Sequence, residues 1–190
     1  NGFTDYEELT RTRRLIMRSY KLPGNRLRLL HTNENRGTVT IDEERDYHFR
    51  YVLEDNFGNR RTYQFIVKGK RQDIPEYKPE ANEMLYWNRT NVIQKPGMEL
   101  VVPRYHVYEN VPLRTDMRGD SSRIAFDYIL DAGRTPIHSY CDLSIGLRHM
   151  PVADTTKYYI VQKAGKWRSS MGGKYANGWI KTRVRSLGTF

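Results

Sequence analysis

Five histidines, one cysteine and a few clustered acids are the residues of this chain able to carry acid–base or metal chemistry. His138 and Asp142 have the H-x-x-x-D spacing that can supply two zinc ligands. A catalytic zinc needs three protein ligands and an open position. The chain has no H-x-H and no H-E-x-x-H, and nothing around His149, the nearest third candidate, completes a site. Asp127, Asp131 and Asp142 belong to no D-x-D-x-D-G loop of the kind that holds calcium. Nucleophile-elbow, Walker and dinucleotide-binding motifs are missing too. No catalytic, cofactor-binding or metal-ligating role is therefore assigned to any residue. Cys141 has no partner for a disulfide and no Cys–His signature around it, so it reads as a small buried hydrophobe.

The more suggestive chemistry is aromatic and cationic. Trp87, Trp167 and Trp179 are candidates for stacking on sugar rings. Lys181, Arg183 and Arg185 alternate with Ile180, Thr182 and Val184, which would make one side of a strand positive. These six residues are the candidate ligand contacts. Both features also have plainer origins. Aromatics fill strand-rich cores, and such alternation is what a strand with one wet face looks like. The excess of 32 Lys+Arg over 22 Asp+Glu, a net +10, favours polyanions such as acidic wall polymers. It equally describes a basic surface that keeps a protein in solution. The basic residues are dispersed and their densest runs are short, so no nucleic-acid partner is expected.

The elements that must position these residues are mostly strands. From Asp46 to Lys70, Tyr47, Phe49, Tyr51 and Leu53 alternate with polar neighbours. After the turn residues Asp55–Asn59 the alternation resumes at Tyr63, Phe65 and Val67. Period-two apolarity across a Gly/Asn turn predicts an antiparallel hairpin. Thr4 to Glu7 reads as a capping box, predicting a helix through Tyr20 that Pro23-Gly24 ends. Further strands are expected at 27–30, 38–41, 84–87, 98–102, 104–108, 123–130, 142–147, 157–162, 179–184 and 187–190. The segment Gly69 to Asn82, rich in charge and holding Pro75 and Pro79, reads as a linker. The expected fold is mainly β: two β-sandwich, Ig-like modules, residues 1–70 and 73–190, with one N-terminal helix. No run of about 18 apolar residues occurs, so no membrane-spanning helix is expected.

Three segments carry a family resemblance: Arg18 to Leu27 (RSYKLPGNRL), Phe49 to Lys70 (FRYVLEDNFGNRRTYQFIVKGK) and Gly172 to Phe190 (GGKYANGWIKTRVRSLGTF). They resemble the region that follows the catalytic domain in lysostaphin-type zinc murein endopeptidases of Gram-negative gut bacteria. The shared marks are the P-G-N turn at Pro23–Asn25, the D-x-x-G-N hairpin at Asp55–Asn59 and the G-G-x-Y-x-x-G-W segment at Gly172–Trp179. The resemblance implies a non-catalytic accessory region in the periplasm or cell envelope. Its implied partners are the peptidase domain of the same polypeptide and peptidoglycan or another envelope protein. It also implies a first module that is an incomplete sandwich. The family's zinc site needs H-x-H besides H-x-x-x-D, so no catalytic residue carries over. The alternative reading is an independent glycan-binding sandwich that uses exposed aromatics.

Overall fold

The structure is a computed structural model that describes residues 2–28, 30–76, 78–120 and 122–190. Alternating apolar residues bury one face of each strand, and two sheets close on the core that results. The strands of the first sheet are β4 (Asn91–Lys95), β5 (Met98–Val102), β8 (Cys141–Gly146), β11 (Lys174–Ala176) and β12 (Trp179–Val184). They pair antiparallel in the order β11-β12-β8-β5-β4. Their inward residues, among them Met98, Leu100, Leu143, Ile145 and Ile180, are buried.

The second sheet begins with β3 (Glu83–Leu85), β6 (Val111–Arg118) and β7 (Asp127–Asp131). Residues 188–190 extend it. Tyr128 and Phe190 exchange backbone hydrogen bonds of 2.9 Å in both directions, and Lys163 N–H donates to the Thr189 carbonyl at 2.7 Å. That short segment links β7 to β9 (Ile160–Ala164), which pairs with β10 (Trp167–Gly172). Leu85, Leu113, Leu130, Tyr128 and Phe190 complete the core from this side. The chain passes from β10 in one sheet to β11 in the other at Gly172-Gly173, whose φ values are +66° and +143°. Glycine alone adopts such angles freely. A Cβ on Gly173 would lie 2.4 Å from Ile180 Cγ2.

Pro112 and the polar Arg114, Thr115 and Asp116 mask β6 in the sequence, but Asn82 secures the strand. The Asn82 side chain accepts from Thr115 N–H at 2.8 Å and donates to the Thr115 carbonyl at 2.8 Å, as a strand neighbour would. Asn91 does the same for the loop before β4, accepting from Tyr86 N–H at 2.8 Å and donating to its carbonyl at 2.9 Å. Such side chains satisfy the backbone groups of tight loops, which cannot be left unpaired inside a fold.

The N-terminal helix is shorter than the capping box predicts. It is α1 (Tyr6–Thr12), capped by Asp5, whose carboxylate accepts from Glu8 N–H at 3.0 Å. Arg13 takes a left-handed conformation that ends it, with φ +62°. The chain then doubles back: Arg18 N–H donates to the Phe3 carbonyl at 2.7 Å and Asp5 N–H to the Ile16 carbonyl at 3.0 Å. The imperfect apolar stripe, broken by Arg13, marks where helix gives way to this return. Strands are also lacking at 38–41, at 104–108 and at the described positions of 27–30. Tyr105, with φ +67°, turns the chain where a strand was expected.

By spatial proximity the chain forms two units, residues 1–36 with 79–190, and residues 37–78. The smaller unit is the predicted hairpin, β1 (Asp46–Glu54) against β2 (Arg60–Lys68). Register places Tyr47, Phe49, Tyr51 and Leu53 on one face with Arg61, Tyr63, Phe65 and Val67. Phe49 stacks on Phe65 at 5.1 Å and Tyr51 on Phe65 at 5.9 Å. The turn is built by Asp55, whose carboxylate accepts from Phe57 N–H at 2.8 Å and Asn59 N–H at 2.9 Å. Those bonds, led by the Asn59 side-chain amide, hold the Asp55 carboxyl below its usual value.

Candidate functional site

Pairing in the first sheet sorts its outward side chains into rows. On β12, Ile180 and Val184 point into the core, leaving Trp179, Lys181 and Arg183 on the outside. Asn177 and Gly178, with φ +50° and +84°, form the tight turn between β11 and β12 and set Lys174 opposite Lys181. Lys181 then faces Ser144 of β8, which faces Glu99 of β5. Arg183 faces Asp142, which faces Val101. These residues line an open groove of about 690 Å³ across the outer sheet face.

Trp179 precedes Lys181 on the outer side of β12, opposite Gly146. A Cβ on Gly146 would lie 3.6 Å from both the Cε3 and Cη2 atoms of the indole, so the ring rests over glycine backbone. A half-buried indole lying on bare backbone is a flat apolar platform beside polar groups. Around the end of β12, the Arg183 and Arg185 guanidinium carbons lie 5.3 and 5.5 Å from the ring centroid of Tyr140. Tyr140 is exposed, and its ring face attracts both cations. Arg185 also borders a second groove, of about 850 Å³, with Arg134, Tyr108 and His138. The Tyr108 hydroxyl and His138 Nδ1 are hydrogen-bonded at 2.8 Å, and burial raises the Tyr108 phenol above its usual pKa. Glu99 is engaged by Gln94 at 2.9 Å. Lys174, Lys181, Arg183 and Arg185 have neither an ion pair nor a hydrogen bond among the described residues.

Residues 82–190, the strands β3 to β12 that build this face, match the Zu5-like domain. The chain belongs to the Zu5-like domain family. No curated protein and no solved structure matches the chain.

The Zu5-like domain thus gathers three of the six candidate contacts, Trp179, Lys181 and Arg183, on one sheet face, with Arg185 at its margin. It separates the other two. Trp87 packs against the core and tilts over Tyr105 at 6.0 Å. Trp167 stands at the β9–β10 turn on the other sheet and is 80% exposed. Sequence reasoning overlooked Lys174, Ser144 and Tyr140. Lys174 was within reach, because a two-residue Asn177-Gly178 turn fixes the register that pairs it with Lys181. The approach of Tyr140 to two arginines depends on the path of a loop and has no local signal. Among the described residues, no three His, Cys, Asp or Glu side chains come together as a metal site. His138 is bonded to Tyr108, away from any such group. Cys141 opens β8 with no exposed surface, and burial pushes its thiol up to about 12. No helix among the described residues is long and apolar enough to cross a membrane.

Proposed function

We propose that this chain is a non-catalytic accessory region of a lysostaphin-type murein endopeptidase. In this reading it works in the periplasm or cell envelope of a Gram-negative bacterium. It positions the peptidase domain of the same polypeptide against peptidoglycan or a neighbouring envelope protein. The observation that carries the reading is where the charge lies. Residues 37–78 hold eight acidic and eight basic side chains, so the whole +10 belongs to the unit that contains the Zu5-like domain. Lys174, Lys181 and Arg183 on one face, and Arg185 at its margin, have no ion pair among the described residues. A surface of net positive charge concentrates an oppositely charged polymer and speeds encounter with it. A tether then turns the peptidase's encounter with its substrate into a local event. The resemblance of three chain segments to the region after such peptidases supports the same assignment.

Sedimentation of the purified chain with intact peptidoglycan sacculi across a salt series tests this. Retention at physiological salt that weakens as salt rises further is the expected result, because an attraction led by charge is screened. Failure to sediment at low salt would overturn it. The exposure of Trp167 and the placement of Trp179 favour a second reading, an independent glycan-binding module. That reading requires binding to neutral oligosaccharides with little dependence on salt.

A further inference from the structure

Two lysines opposite each other on paired strands repel and cost stability. Lys174 and Lys181 stand so, and no carboxylate among the described residues relieves either. Arg183 is the register neighbour of Asp142, yet its guanidinium turns to the Tyr140 ring, where Arg185 joins it. Alternate residues of a strand are spaced by about 6.6 Å. From Trp179, the outer face of β12 and its continuation therefore read as an aromatic platform followed by Lys181, Arg183 and Arg185 at near-regular steps. Lys174 widens the row at its start. Asp142 of β8 lies directly beside Arg183, and Glu99 of β5 lies across the groove.

We infer that this row is a binding site for a carboxylate-bearing glycopeptide, the sugar ring lying on Trp179 and the acidic peptide running along the cations. The inference rests on the murein reading above, and it assigns that reading a place and an order of contacts. A neutral glycan would leave the cations unused. A bare acidic peptide would leave the platform unused. The guanidinium forks of Arg183 and Arg185 suit carboxylates, which they can bind through two parallel hydrogen bonds. Asp142 and Glu99 disfavour a ligand that spreads negative charge across the whole groove, so the peptide is held to the β12 side.

Isothermal titration of the full chain with a soluble disaccharide-tetrapeptide muropeptide tests the inference. A neutral chitin tetrasaccharide and poly-L-glutamate serve as comparison probes. The Lys181→Gln/Arg183→Gln variant alters only exposed side chains and keeps the strand alternation. It is expected to weaken muropeptide binding at least tenfold and to flatten its salt dependence. Trp179→Ala, checked for native circular dichroism, is expected to weaken the muropeptide and leave poly-L-glutamate unaffected. Binding of the double variant within twofold of the parent would overturn the assignment. Equal affinity for the chitin tetrasaccharide would do so too, as would equal affinity for poly-L-glutamate. If sacculi retain parent and double variant alike, the murein reading stands and this site falls. If sacculi and muropeptide both fail to bind the parent, the murein reading itself falls.

Discussion

Tyr128→Phe probes the bond that ties the two sheets. Tyr128 belongs to β7 in the second sheet and is 1% exposed. Its hydroxyl donates to the Pro96 carbonyl, in the β4–β5 turn of the first sheet, at 2.7 Å. Gly97 makes that approach possible, since a Cβ there would lie 2.7 Å from the same hydroxyl. Phenylalanine keeps the ring and its packing, so little cavity cost arises. What is lost is a net hydrogen bond worth about 0.5–1.5 kcal/mol, and the Pro96 carbonyl loses its donor. Pro96 is exposed in its turn, so water reaches the carbonyl in place of the hydroxyl and only the net bond is lost. The expected destabilisation is about 1 kcal/mol. In a domain of this size each kcal/mol lowers Tm by roughly 2–4 °C, giving a fall of about 2–4 °C. Thermal unfolding followed by circular dichroism is the assay, and urea unfolding should move its midpoint with the slope unchanged. A shift below about 1 °C would refute the reasoning. It would mean that the Tyr128–Pro96 bond adds nothing to what apolar contact between the sheets supplies.

Three other perturbations have defined outcomes. Gly173→Ala should strongly destabilise the fold, because the new Cβ meets Ile180 Cγ2 at 2.4 Å and φ is +143°; near-parental thermal stability would show that the corner between the sheets moves freely. Cys141 should resist thiol reagents at pH 8 except through unfolding. Its pKa rises from 9.0 to about 12 on folding, so the unfolded chain ionises first. The Cys141 contribution to stability is then intact below pH 9 and declines by up to about 1.4 kcal/mol per pH unit between pH 9 and 12, a share of the alkaline slope that Cys141→Ala should remove in urea titrations. Asp55 is held below its usual 3.8, so its contribution to the β1–β2 turn is present above that value and lost as pH falls through the lowered one. Amide shifts of Phe57 and Asn59 should report a single acid transition below pH 3.8, and a transition at or above it would count against the carboxylate bonds.

Where side chains alternate and turns are punctuated, the fold could be read from the chain. The β1–β2 hairpin follows from its aromatic alternation and the Asp55–Asn59 turn. Met98–Val102 and Trp179–Val184 are strands over the very residues that the pattern marks. The missed strands β4 and β6 are stabilised from outside. Asn82 satisfies the Thr115 backbone of β6 and Asn91 ties the Tyr86 backbone of the loop before β4, and a propensity argument does not see such bonds. The helix fails beyond Thr12 because the chain gains more by pairing residues 16–18 with 3–5 than by extending a stripe that Arg13 interrupts. Of the site, the alternation of Lys181 and Arg183 was legible and the burial of Trp87 was not. A tryptophan's exposure depends on which long-range partner covers it, here Tyr105 and the core.

The lodging of residues 188–190 between β7 and β9 dictates an order of assembly during synthesis. The first sheet gains its last strand at Val184, but β7 waits for Phe190 before that edge is paired. At synthesis rates of about 5–20 residues per second, the nearly 60 residues after β7 take roughly 3–12 s to appear. Over that interval Tyr128 and Leu130 present an unpaired, apolar strand edge, the kind that recruits neighbouring chains. Closure of the sandwich is thus a late event that depends on three residues. Nascent chains arrested before Gly188 should be captured by chaperones, whereas chains carrying Phe190 should be released.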